Sequence, residues 1–314
     1  MQIVDDSVPA RADELHEQFR SAKPFPHTVI DGFLRPDLCA RLVADFPSYD
    51  EEKFRNEWGE LGKAWHENVP AMGPAFEELD AGLRSADFLD LLSSISGIPD
   101  LLFDPHYFGG GTHENLHEME LDPHIDFNVH PKTKLHRRLN LLLYLNEEWD
   151  ESWGGALELH TNPWLHPSEN ELTTILPAMN RCVVFETSDH SWHGFRRLNL
   201  PEDRRDMSRR SFAMYLYTKA RPNLQMIPHD ITIYTDRPLP DHIRAGRELT
   251  GDDVYELECL LGRRDRKLEY LYGRAIDYAQ KTLEEETEHE PQGWLERTLR
   301  KAVRQLARSR DTDR

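Results

Sequence analysis

Between about Leu101 and Thr218 the apolar residues come in short runs, RLNLLLYLN, GGALELH, LTTILP, RCVVFET and SFAMYLYT, separated by Gly, Pro, Asn and Asp. Runs of this length with no helical period between them predict strands of an antiparallel sandwich or jelly roll. Helical periodicity flanks them. PFPHTVIDGFL (Pro24 to Leu34) reads as a short strand, and Pro36-Asp37 opens a helix with Leu38, Leu42 and Phe46 on one face. A second helix is expected over about Ala75 to Ile95, carrying Phe76, Leu79, Leu83, Phe88 and Leu91.

Beyond about Arg221 a Pro-rich link leads into helical sequence. Leu268, Leu271, Tyr272, Ala275, Ile276 and Ala279 form one stripe, and a last helix after Pro291 has Leu295, Leu299, Ala302, Val303 and Leu306 opposite Arg297, Arg300, Lys301, Arg304 and Arg308. This tail reads as docked on its own domain or on a subunit partner, a homodimer through the C-terminal helices being one such arrangement, in preference to a membrane surface. The expected organisation is a helical and strand support region over 1–100, a mainly β core over 101–220 and a mainly helical extension over 221–314.

Composition narrows the partners. Fifty-seven acidic against 38 basic residues give a formal charge of -19, which repels nucleic acid and anionic lipid while leaving room for a local basic pocket. The mean hydropathy of -0.70 implies a heavily charged surface. Cys39, Cys182 and Cys259 are too few and scattered for a disulfide framework, no secretory leader pattern opens the chain and no 18-residue apolar run occurs, so a cytoplasmic protein is expected.

Two metal-binding spellings sit within GGGTHENLHEMELDPHIDFN. His113-Glu114-Asn115-Leu116-His117 is HExxH, which holds zinc only when a helix puts both imidazoles on one face, and here three glycines precede it and Pro123 follows. His124-Ile125-Asp126 is HxD, whose side chains share one face of an extended strand and supply two of the three ligands of a facial iron site. A third ligand must come from a distant strand. RCVVFETSDHSWHGF offers His190 and His193, and RRSFAMYLYT opens with Arg210, placed by alternation with Phe212 and Met214 and suited to a dicarboxylate. Three readings stand at this point: an iron oxygenase, a non-catalytic jelly-roll binding module and a zinc hydrolase using HENLH.

The order of these motifs resembles the Fe(II)/2-oxoglutarate-dependent oxygenases of the prolyl-4-hydroxylase-like group. The resemblance rests on His124-Ile125-Asp126, Arg138-Leu139-Asn140 through Tyr144-Leu145-Asn146 and Trp149, Gly154-Gly155-Ala156-Leu157, Phe185 to His193, and Arg210 to Tyr217, and covers about Pro24 to Thr218. GGG-x-H, H-x-DFN-x-H, NRCV-x-FET and S-x-HG make it most similar to stand-alone bacterial members.

The resemblance implies a double-stranded β-helix (cupin-like) core and an enzyme using Fe(II), 2-oxoglutarate and O2 to hydroxylate an unactivated C-H bond, with succinate and CO2 released. It implies His124, Asp126 and His193 as iron ligands, with His193 preferred to His190, and Arg210 with Tyr144 and Asn140 at the cosubstrate. Asp126 in place of a small residue points to hydroxylation rather than halogenation. Asn128, Arg137, Arg138 and His160 are expected near the mouth, facing a small-molecule or peptidyl substrate.

Overall fold

The runs RLNLLLYLN, RCVVFET and SFAMYLYT pair with one another, because each is apolar on both faces and must be covered on both. The computed structural model describes residues 3–50, 63–166, 168–222, 226, 228–236, 239 and 242–288. It divides into two compact units, Met1–Pro238 and Leu239–Arg314. In the first, β1 (His27–Asp31), β2 (Ala64–His66), β3 (Leu102–Phe103), β4 (Gly111–Asn115), β6 (His136–Tyr144), β9 (Arg181–Glu186) and β11 (Arg209–Thr218) build a sheet of order β1-β9-β6-β11-β4-β2, with β3 also on β11. Strands β5 (Leu121–Ile125), β7 (Leu157–His160), β8 (Leu172–Ile175), β10 (Trp192–Phe195) and β12 (Ile233–Tyr234) build a second, of order β12-β5-β10-β7-β8. All the pairings are antiparallel, and the two sheets form the expected jelly-roll core.

Strand parity assigns the two faces of the larger sheet. Leu139, Leu141 and Leu143 of β6, Cys182 and Val184 of β9, and Phe212, Met214 and Leu216 of β11 pack in one cluster with the helices α2 (Ala12–Ser21), α3 (Pro36–Ala44), α4 (Pro74–Leu83) and α5 (Ala86–Ser96). The short α1 (Ser7–Ala10) adds Val8 to it. Tyr144, Val183 and Phe185 turn the other way and pack with Leu157, Leu159 and Ile175 of the second sheet. Burying each large apolar side chain stabilises the fold by roughly 1.5–3 kcal/mol before entropy is counted.

The single helix expected over Ala75 to Ile95 is two, α4 and α5. Ser85 takes an extended backbone and its side chain accepts from Phe88 N at 3.3 Å, so it caps the second helix instead of continuing the first. The first unit also reaches past 220, since Ile233 and Tyr234 pair with Ile125 and His124.

In the second unit α6 (Gly251–Glu288) starts at a reciprocal cap, in which Thr250 N donates to Asp253 Oδ2 at 2.7 Å and Asp253 N to Thr250 Oγ1 at 3.2 Å. Leu268, Leu271, Tyr272 and Ile276 of the expected stripe are exposed. The last helix expected after Pro291 lies outside the described residues. Among the described residues no helix is long and apolar enough to cross a membrane.

Candidate metal centre

His124 of β5 and His193 of β10 are directly opposite each other across the strand pair, their ring centroids 4.2 Å apart. Asp126 lies two residues past His124, just beyond the end of β5, and one ligand atom from each of the three lies within 4.8 Å of the others. His193 Nε2 is 3.4 Å from Asp126 Oδ2 and His124 Nε2 is 3.8 Å from Asp126 Oδ1. Each imidazole uses its other nitrogen on the backbone: His124 Nδ1 is 2.9 Å from Asp122 O, and His193 Nδ1 is 2.9 Å from Ser191 O. A carbonyl only accepts, so Nδ1 carries the proton and the Nε2 lone pair faces the carboxylate. Burial, with His193 adding to it, holds the His124 imidazolium down to about 3, and burial also lowers His193, so both rings are neutral at pH 7. Two neutral imidazoles and one carboxylate are the donor set of a facial iron site, and a divalent ion fits it.

Asp126 keeps its charge despite burial because the Arg137 guanidinium, with the Asn140 amide donating to the same carboxylate, outweighs the desolvation and holds it below the ordinary carboxylate range. Its Oδ2 accepts from Arg137 Nη2 at 2.9 Å and Asn140 Nδ2 at 2.7 Å, which leaves Oδ1 for an ion. Asn140 Oδ1 accepts from Arg137 Nε at 2.8 Å and from Thr187 Oγ1 at 3.1 Å. A guanidinium has no acceptor, so the orientation of that amide is fixed. Asn140, expected at the cosubstrate, lines the cavity at this site and donates to the Asp126 carboxylate.

Arg137 reaches this face through a register shift. Leu216 pairs with Leu139 and Tyr217 with Arg137, so Arg138 is left without a partner opposite. The extra residue turns Arg137 inward, its guanidinium 3.4 Å from the centroid of Tyr215, while Arg138 turns away toward Glu186 and Thr218. Arg137→Met is expected to weaken divalent-metal binding by about 10- to 100-fold, measured by competition against a chromogenic chelator.

Of the doublet Arg209-Arg210, Arg209 and not the expected Arg210 lines the cavity. Arg210 shares the face of Phe212 and Met214, which is the helix-covered face; its Nε donates to Glu114 Oε1 at 3.0 Å and its guanidinium is 5.1 Å from the Phe46 centroid. Arg209 points between the sheets and lines a cavity of about 250 Å³ together with His124, Asp126 and His193. It is 4% exposed, and among the described residues it has no carboxylate partner. Its Nε donates to Gly155 O at 2.7 Å and its Nη2 to Tyr144 Oη at 3.2 Å. Tyr144 is fully buried and is not one of the residues lining the cavity, so it orients Arg209 from behind.

The remaining expectations divide. His190 is exposed and takes no part in the cluster. His113 to Asn115 of HENLH lie in β4 and His117 in the turn after it, so the segment is not a helix. His113 faces the cavity, Glu114 turns to Ser208 and Arg210, and His117 Nδ1 accepts from Leu200 N at 3.0 Å, so the zinc geometry is not formed. Asn128 is buried between Asp189 and His229, and His160 sits 3.5 Å from Glu158; neither lines the cavity. Trp149 and Trp153 pack edge to face, as do Trp164 and Trp192, away from the cavity lining. Sequence reasoning missed Arg209, Lys63, Asn115, Tyr215 and Tyr234, all at the cavity wall. The doublet Arg209-Arg210 was the one available signal.

Residues 111–217 match the 2OG-Fe(II) oxygenase superfamily. That stretch is similar to a 2OG-Fe(II) oxygenase domain. Members of that superfamily use Fe(II) and 2-oxoglutarate. The chain is 26% identical over 244 residues to prolyl 3-hydroxylase OGFOD1 of Mus musculus, an alignment covering 72% of this chain and 38% of that protein. The chain thus spans well under half of that relative's length. Among solved structures it is similar to a prolyl 4-hydroxylase from Phytophthora capsici, with 21% identity, TM-score 0.46 and coverage of 82% of this chain and 74% of that one. It is also similar to HygX of Streptomyces hygroscopicus, solved with nickel and 2-oxoglutarate bound, with 13% identity, TM-score 0.44 and coverage of 71% and 96%.

Proposed function

We propose that this chain is an Fe(II)- and 2-oxoglutarate-dependent dioxygenase that hydroxylates an unactivated C-H bond of an amino-acid, peptidyl or natural-product substrate. The observation that carries this reading is the convergence of two tautomer-locked imidazoles and one carboxylate beside a buried arginine without an acid partner. In this reading His124 Nε2, Asp126 Oδ1 and His193 Nε2 hold the ion. When bound, the ion and cosubstrate supply an oxidant from dioxygen, with succinate and CO2 as the other products.

The rest of the work falls to the chain. Arg209 neutralises the distal carboxylate of 2-oxoglutarate, oriented by Tyr144 and the Gly155 carbonyl. Leu142, Leu157 and Phe195 give the cavity apolar walls that exclude water. Asn140 and Arg137 hold Asp126 in one orientation. The mouse relative's name points toward a prolyl residue as substrate. The three free cysteines support a reducing, cytoplasmic setting.

Anaerobic Fe(II) titration with and without 2-oxoglutarate tests the reading. A visible metal-to-ligand charge-transfer band should require both components and vanish in His124→Ala; a folded, metal-loaded protein without the band would refute it. Gly155 offers a finer check, because its φ of +70° belongs to glycine and an added Cβ would lie 3.2 Å from Arg209 Cδ. Gly155→Ala should raise the 2-oxoglutarate concentration at half-saturation of the band by about tenfold, the equivalent of ~1.4 kcal/mol.

A further inference from the structure

Lys63 enters the same cavity from the residue just before β2, at the edge of the larger sheet. Its Nζ is 3.5 Å from His113 Nε2, and that nitrogen is in turn 3.2 Å from Gly109 O. Among the described residues Lys63 has no ion-pair partner. His113 supplies no countercharge, since burial and the adjacent ammonium keep its ring neutral. Asn115, 4% exposed on the same strand as His113, also lines the cavity, and its Oδ1 has no hydrogen-bond partner. A cation and an unsatisfied acceptor in an enclosed wall are costly unless a ligand completes them.

The charges already assigned leave Lys63 over. Arg137 is paired with Asp126. In the proposed function, on which this inference rests, Arg209 and the ion account for the two carboxylates of 2-oxoglutarate. We propose that Lys63 receives a carboxylate of the primary substrate, with Asn115 beside it accepting from a donor on the same molecule. The substrate is then a carboxylate-bearing compound small enough to enter the cavity, such as a free amino or imino acid, in preference to a residue in the middle of a folded protein. Lys63 is a specificity residue, separate from the cosubstrate site. Burial brings its ammonium down only to about 8, so it stays mostly charged at neutral pH.

The test uses the full chain loaded with Mn(II), saturated with 2-oxoglutarate and titrated with 13C-carboxyl acetate, with a Mg(II) sample for the diamagnetic baseline. The 13C relaxation of acetate and of 2-oxoglutarate are read in the same tube. In the wild type both should relax faster near the ion. In Lys63→Met the acetate enhancement should fall about tenfold while that of 2-oxoglutarate is unchanged, which also shows that the variant is folded. Acetate enhancement that is absent in the wild type, or equal in the variant as direct coordination to the metal would make it, overturns the proposal. So does loss of the 2-oxoglutarate effect in a folded Lys63→Met, which would move Lys63 into the cosubstrate site. If 2-oxoglutarate is not relaxed even in the wild type, the iron and cosubstrate reading itself fails and takes this inference with it.

Discussion

Arg209→Met will raise the 2-oxoglutarate concentration needed to form the iron chelate by about 100-fold, while Arg210→Met will leave it within about twofold. The first figure corresponds to about 3 kcal/mol, the scale of a charge-assisted contact to a carboxylate lost inside a wall that water does not reach. Arg209 is 4% exposed with its donors anchored by Gly155 and Tyr144, so its charge is held at one place in the cavity wall. Arg210 has a different task. It satisfies Glu114, which is 4% exposed, across the strand pair on the helix side. Its loss should lower thermal stability by about 1 kcal/mol and leave the chelate intact, so the charge-transfer titration and a melting curve together separate the two arginines. A 100-fold defect in Arg210→Met with none in Arg209→Met would overturn the assignment.

His193→Ala will abolish the charge-transfer band and weaken Fe(II) binding more than about 100-fold, beyond what loss of an outer partner costs, whereas His190→Ala and Glu114→Gln will retain both. His193 is 6% exposed and faces His124 across the strand pair; His190 stands in the preceding turn and is exposed. The Glu114 variant separates this reading from the zinc one, because a hydrolase built on HENLH would lose its base with that carboxylate. Anaerobic titration followed by metal analysis of the desalted protein distinguishes all three variants.

The larger outline could be read from the sequence because period-two apolar runs and turn residues mark strands whatever their partners, and two residues spaced i, i+2 must share a strand face. That logic put His124 and Asp126 together, and the structure places His193 with them. It failed on which face lines the site. In β11 Phe212 and Met214 face the helices while Arg209, Ser211 and Tyr215 face the cavity, and alternation groups residues by face without saying which face meets the cavity. It failed again on β6, where the unpaired Arg138 reverses the count and brings Arg137 inward. Lys63 gave no signal at all, since the strand that follows it is three residues long and its neighbours in the cavity are far away in the chain. The break at Ser85 is a capping effect, and its one trace in the apolar spacing is the five-residue step from Leu83 to Phe88, which leaves the helical period.

Both imidazoles are steered by a carbonyl two residues earlier in the chain, Asp122 O for His124 and Ser191 O for His193. A main-chain oxygen is present whatever amino acid occupies the position, so no side-chain replacement at 122 or 191 deletes the acceptor. The proton placement on both rings is therefore insulated from sequence drift. The surrounding loops are free to vary in charge and size, and so to adapt the mouth to new substrates, while the electronic state of the two nitrogen donors is inherited unchanged.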